Sequence, residues 1–315
     1  MSRRGPSFFI VGAAKCGTTA LQDYLSQWPE VFMPEGKEFH HFADDLLRPD
    51  DPLLQRDHYL ALFADARPEQ LIGEASAFHM LSAVAAERIA DHEPDARIVV
   101  MLRNPVDVVP ALHAQLVFNG EEPLTDLAAA LDAEADRRRG IGVPARARFG
   151  RKLCYLEVVD FAPQLERFLT RFPDACIVLY DDFARDTGGS VKGIARFLGI
   201  DPDFEPDLRV VNANRQVRNR RLQEFVLEPP KGLVRVGSLL VPRPLRRAVR
   251  SLLQRANTKE RRRPPLPSAL RTRITEACAP GIERLAALLG RDLSPWLTGS
   301  PLAPQGAVID DRGQA

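Results

Sequence analysis

The sequence predicts an α/β fold, a parallel sheet flanked by helices, with a mostly helical C-terminal half. Three observations carry this. Short apolar runs at Phe8 to Val11, Arg97 to Leu102 and Cys176 to Tyr180 lack the polar alternation of half-exposed strands and read as strands buried on both faces. Helical patterns separate these runs, as in βαβ units. The first run also opens directly into a loop with glycines at 12 and 17, followed by a helix that begins at Thr18 and Thr19.

That first loop, Gly12-Ala-Ala-Lys-Cys-Gly-Thr-Thr19, is P-loop-like but not a nucleoside-triphosphate loop. Its glycines fit the frame of G-x-x-x-x-G-K-[ST], yet Thr18 stands where the lysine belongs and the cation has moved back to Lys15. A turn of this kind aims backbone N–H groups and the positive end of a helix dipole at one point, which suits a phosphate or sulfate. Leu21, Leu25 and Trp28 recur at helical spacing and predict an apolar face against the sheet.

The second informative strand ends in Arg103-Asn-Pro105, with Pro105 placed to open a helix. Ligands of open α/β sheets sit beyond the carboxyl ends of the strands, so Arg103 and Lys15 can meet one anion. A magnesium-dependent kinase would want an aspartate at such a strand end. A third segment, Pro34 to Phe42, sets two candidate general bases, Glu38 and His40, beside Lys37 in a short aromatic loop.

Together these segments resemble the sulfotransferases that use 3′-phosphoadenosine 5′-phosphosulfate as donor. Ala14-Lys-Cys-Gly-Thr-Thr-Ala-Leu21 resembles that family's 5′-phosphosulfate loop, Leu102-Arg-Asn-Pro-Val-Asp107 its 3′-phosphate motif, and Lys37-Glu-Phe-His-His-Phe42 the segment holding its base. Gly73-Glu-Ala-Ser76, the stretch from Phe161 to Ile200 and Asp292-Leu-Ser-Pro-Trp296 extend the likeness over roughly residues 7 to 297. The resemblance implies Glu38 as catalytic base and Lys15 at the leaving phosphate. It implies donor contacts from Lys15, Cys16, Gly17, Thr18, Thr19, Ala20, Arg103 and position 111. Basic residues of the C-terminal half, Lys259, Arg261 and Arg262, are expected at the 3′-phosphate end. Lys37, His40, Glu74, Phe78 and His79 are expected at the acceptor, with Phe39, Phe42 and Phe118 as further wall. No metal is expected.

One position departs from the family. A serine usual eight residues after the arginine is here Ala111, preceded by Pro110. A hydroxyl bonded to a charged phosphate is worth about 1.5–3 kcal/mol. His113, or an arginine of the C-terminal half, is expected to compensate; otherwise the donor site is weakened.

The 315 residues, 45% hydrophobic, suit one large α/β domain, expected to span residues 1–298 with its core over about 7–200 and a polar, disordered tail from 299. No apolar run reaches the roughly 18 residues of a membrane span, and a cytoplasmic protein is expected. Cys16, Cys154, Cys176 and Cys278 are too scattered for a zinc site or a disulfide framework. Cys16, in the phosphate loop, reads either as a thiol activated by Lys15 and the helix terminus or as a small residue tolerated in a tight turn. Net charge is only +1, but residues 231 to 263 hold eleven Lys/Arg against one acid, Glu260. Three roles fit this segment: a solvated face, a lid over the donor, or peripheral contact with an anionic membrane. Nucleic-acid binding would want interleaved aromatics, which are missing. Downstream, Ser268 is expected to cap a long helix that turns Leu270, Ile274, Ile282, Leu285 and Leu289 to the core.

The expected activity is sulfuryl transfer to a hydroxyl or amine of a small-molecule, glycan or lipid-linked acceptor; the oligomeric state is open. Two alternatives stand beside it: a kinase using Asp181 or Asp182 to hold magnesium, and a non-catalytic nucleotide-binding protein.

Overall fold

The computed structural model describes residues 4–209 and 265–304, together with the backbone of 215–217 and 258–260. Five strands form a wholly parallel sheet: β1 (Phe8–Gly12), β2 (Val31–Phe32), β3 (Leu71–Ala75), β4 (Arg97–Leu102) and β5 (Cys176–Leu179). Their order is β2-β3-β1-β4-β5. The chain moves to one side of β1 to make β2 and β3, then returns to the other side for β4 and β5. Adjacent strands β1 and β4 therefore feed connections that run in opposite directions, and a crevice opens beyond their carboxyl ends.

The unbroken apolar runs have the burial they imply. Every residue of β1 and β5 is buried, as is all of β4 except Arg97. Phe8, Phe9 and Ile10 are fully removed from solvent, each worth about 1.5–3 kcal/mol of hydrophobic stabilisation.

Helices cover both faces: α1 (Thr18–Leu25), α2 (Arg56–Ala61), α3 (Ala85–His92), α4 (Pro105–Phe118), α5 (Leu127–Asp132), α6 (Glu134–Arg138), α7 (Tyr155–Val158), α8 (Phe161–Arg171), α9 (Tyr180–Arg185) and α10 (Thr187–Leu198). The α1 face predicted from Leu21, Leu25 and Trp28 is buried, and Trp28 Nε1 donates to Asp201 O at 2.8 Å. A C-terminal helix, Ser268–Leu289, packs on α8 and α4 through Ile274, Cys278, Ile282 and Leu285. Leu270 and Leu289 are only half-buried there. Ser268 does not cap this helix: it is the first helical residue, Pro267 holds the cap position, and no side chain bonds to the first turn.

The C-terminal end is more ordered than expected. Leu302 is buried, Arg185 donates to its carbonyl at 2.6 Å, and Arg291 donates to Ala303 O at 2.8 Å. Residues 299–304 are thus fastened to the domain, and the rest of the expected tail lies outside the described residues. Among the described residues no helix is long and apolar enough to cross a membrane.

Candidate active site

A cleft of about 820 Å³ lies at the carboxyl end of the sheet and brings the three sequence motifs together. The loop after β1 supplies its floor. Gly17 adopts φ 100° at the N-cap of α1, a left-handed conformation that a side chain would strain. No side chain caps the first turn of α1, and no acid lies in that turn. Its leading N–H groups and the helix dipole are therefore disposed toward an anion. Lys15, itself at φ 65°, extends along the cleft to donate to Gln115 Oε1 at 3.3 Å.

Arg103 enters from the end of β4. Its guanidinium lies 4.4 Å from the centre of the Tyr180 ring and donates to Lys15 O at 3.5 Å. Asn104 fixes this end by accepting the Val106 N–H at 3.0 Å as the cap of α4. Ala111 lines the same cleft and offers no hydroxyl. His113 is no substitute: it is buried, outside the cleft lining, with Nε2 2.8 Å from Leu124 O. Lys259 is described by backbone alone, in a short antiparallel pair with residues 215–217. Arg261 and Arg262, with most of the basic 231–263 segment, lie outside the described residues.

Glu38 stands between these groups and the far half of the cleft, its carboxylate one-third exposed. Oε1 is 3.0 Å from Lys37 Nζ, which also donates to Thr18 Oγ1 at 3.1 Å and Thr19 Oγ1 at 3.0 Å. Oε2 accepts the Ala77 N–H at 2.9 Å and lies 3.4 Å from His40 Nε2. Burial, then the charges of Arg148, Lys152 and Lys37, hold His40 well below the ordinary imidazole range, so it is neutral at pH 7.

Some expected site residues are elsewhere. Glu74 and His79 are fully buried beneath the cleft and do not line it. Tyr59 and Ser76 both donate to the Glu74 carboxyl, and burial pushes that group up to about 8. Phe39 and Phe42 are core residues, and Phe118 lies outside the lining; Phe78 alone of these aromatics borders the cleft. The Cys16 side chain is fully buried, and burial pushes its thiol up to about 12, so it is no reactive thiol.

Two cations that carried no signal in the sequence do border the cleft, Arg148 and Lys152. Arg148 donates to the carbonyls of Glu38 at 2.7 Å and Phe39 at 3.1 Å while pairing with Asp51 at 3.0 Å. Lys152 is 95% buried, ion-paired with Glu121, and 4.9 Å above the Phe149 ring. Their segment has no periodicity that would direct them inward.

The carboxylates a kinase would need are engaged away from the cleft. Arg291 and Arg185 pair with Asp182, and Trp296 Nε1 donates to Asp181 at 3.3 Å. Among the described residues, no group of three or more His, Cys, Asp or Glu could hold a metal ion.

Comparison with known proteins agrees with this geometry. Residues 6–279 match the model of the sulfotransferase domain family. A sulfotransferase crystal structure from Alicyclobacillus acidocaldarius superposes with a TM-score of 0.68 at 30% identity, covering 93% of this chain and 99% of the other. Among curated relatives, human heparan sulfate glucosamine 3-O-sulfotransferase 6 is 28% identical over 204 residues, 63% of this chain. Human bifunctional heparan sulfate N-deacetylase/N-sulfotransferase 2 is 26% identical over 208 residues, again 63% of this chain. These alignments span 53% and 22% of those two relatives' lengths.

Proposed function

The chain belongs to the sulfotransferase domain family, and from that premise we propose that it moves a sulfuryl group from 3′-phosphoadenosine 5′-phosphosulfate to an acceptor hydroxyl or amine. The observation that carries this is the reach of Lys37, which touches both the Glu38 carboxylate and the two threonines opening α1. A candidate base and an anion cradle are thus held side by side by one ammonium group, which suits transfer between an acceptor and a phosphosulfate.

The donor would supply an electrophilic sulfur and a phosphate leaving group. Glu38 takes the acceptor proton; its partial exposure leaves the carboxylate within reach of a bound hydroxyl. Lys15, the hydroxyls of Thr18 and Thr19 and the N–H groups from Gly17 to Ala20 meet the charge that develops on the departing phosphate. Donors already fixed in place stabilise such charge without reorganising. Arg103 receives the 3′-phosphate and so favours this donor over ATP. Lys37 holds Glu38 at the threonine end of the cleft. Heparan sulfate appears in the names of relatives, and a glycan acceptor heads the candidates here, ahead of other small molecules or a lipid-linked acceptor.

Thermal denaturation tests the donor. Adenosine 3′,5′-bisphosphate without magnesium should raise the melting temperature; a ligand at 100 times its Kd adds about 2.7 kcal/mol. ATP with magnesium should not. Stabilisation by ATP alone would overturn the proposal in favour of a kinase, and no response to either nucleotide would point to a protein that has lost its donor site.

A further inference from the structure

The acceptor half of the cleft has two unlike surfaces, and together they describe a ligand. From the last turn of α4 a ladder of polar side chains, all lining the cleft, runs onward to Lys152. Gln115 Nε2 donates to Asn119 Oδ1 at 3.0 Å, Asn119 Nδ2 donates to Glu121 Oε1 at 3.2 Å, and Lys152 Nζ closes the ladder on Glu121. Its near end is tied to Lys15, whose Nζ donates to Gln115. The second surface is aromatic. Phe78 and Phe149 meet edge to face at 5.2 Å, and His40 packs against both rings at 5.8 and 5.7 Å. Lys152, standing over the Phe149 ring, joins the two surfaces.

Amide and carboxylate side chains in a row, each with donor or acceptor capacity to spare, suit a ligand with several neighbouring hydroxyls. An aromatic surface beside them suits the apolar C–H face that a pyranose ring also carries. Charge narrows the class further. In this half of the cleft Lys37, Arg148 and Lys152 each have an acid of the chain beside them: Lys37 has Glu38, Arg148 has Asp51, and Lys152 has Glu121. An anionic group arriving here would compete with those pairs, and splitting the largely buried Lys152–Glu121 pair would leave a charge uncompensated.

We infer that the acceptor is an uncharged sugar, read by the Gln115–Asn119–Glu121–Lys152 ladder and the Phe78–Phe149 surface, and not a sulfated or uronic-acid glycan. This presupposes the sulfuryl transfer proposed above. Lys152 and Glu121 serve as hydrogen-bonding partners whose charges cancel, and Asn119 is the most exposed rung.

The test uses the full chain, labelled donor and three acceptor sets. These are neutral sugars (methyl glucoside, methyl galactoside, methyl mannoside, N-acetylglucosamine, lactose, trehalose), an N-sulfated heparosan hexasaccharide, and 2-naphthol. At least one neutral sugar should be sulfated with kcat/KM tenfold or more above the hexasaccharide and the naphthol. Asn119→Ala should lower kcat/KM for that sugar at least fivefold while the donor KM stays within twofold. Preference for the hexasaccharide or the naphthol overturns the inference, as does an Asn119→Ala enzyme with unchanged sugar kinetics. If adenosine 3′,5′-bisphosphate stabilises the protein and yet no neutral sugar is sulfated, the acceptor assignment is wrong and the donor reading stands. If the bisphosphate does not bind, the donor reading fails and the acceptor assignment falls with it.

Discussion

Ser76 Oγ accepts the backbone N–H of His40 at 3.0 Å and at the same time donates to the buried Glu74 carboxyl. The end of β3 grips the loop of the proposed base at two further points: Glu38 N donates to Ala75 O at 2.9 Å, and Ala77 N donates to Glu38 Oε2 at 2.9 Å. Glu38 and His40 sit at φ 63° and 58°, left-handed conformations that cost on the order of 1–3 kcal/mol each. The three bonds offset that strain and hold the carboxylate at the cleft.

Ser76→Ala should therefore impair transfer more than it impairs donor binding. The His40 amide would be buried without its acceptor, at a cost of about 1–3 kcal/mol. The expected result is a lower melting temperature and a several-fold fall in kcat, with donor Kd within twofold. A variant that loses stability but keeps its kcat would show that the splint does not position Glu38.

Lys15→Ala should cut turnover more than tenfold while the fold survives, because the side chain lies along the cleft and contributes nothing to the core. Circular dichroism establishes the fold, and single-turnover transfer measures the loss. Near-normal turnover would remove Lys15 from the leaving-group role.

Glu38→Gln keeps an oxygen for the Ala77 N–H and removes the basicity together with the charge that pairs with Lys37. Bisphosphate affinity should change less than twofold and transfer should fall at least a hundredfold. Normal transfer would move the proton acceptor elsewhere, with His40 next in reach of the same position.

The elements legible in the sequence were those governed by local chemistry. Strands buried on both faces announced themselves as unbroken apolar runs, and the phosphate-type loop by Gly17 and the paired threonines. Arg103 was visible because it ends such a strand just before a proline. Residues placed by tertiary contact were not legible. Arg148 and Lys152 come from an irregular basic stretch, and only packing against the Glu38 loop and Phe149 brings them to the cleft. Glu74 and His79 were misplaced for the converse reason. They lie beside the motif in sequence, but Glu74 is on β3, which is buried on both faces, and His79 is in the buried turn that follows it, so both lie beneath the cleft. The tail past Gly299 looks solvent-borne from composition, yet Arg185 and Arg291 seek its carbonyls.

Glu74 also gives a pH dependence whose sign can be worked out. Burial lifts its carboxyl from 4.5 to about 8, with Glu38 adding to the rise and the Ser76 and Tyr59 hydroxyls opposing it. The folded protein thus retains a proton that the unfolded chain releases above its ordinary glutamate pKa. Between about pH 4.5 and 8 the folded state binds more protons than the unfolded one, so this group lowers stability as pH rises, by at most about 1.4 kcal/mol per unit. Below that window the carboxyl is neutral in both states and the cost vanishes; above it the cost is constant. Glu74→Gln keeps the size, and an oxygen for one of the two hydroxyls that now donate to separate carboxyl oxygens, but does not titrate. Its melting temperature relative to the parent should climb steadily from pH 5 to pH 8 and then level off. A difference independent of pH across that range would mean that Glu74 is ionised in the fold, its pKa no higher than an ordinary glutamate's.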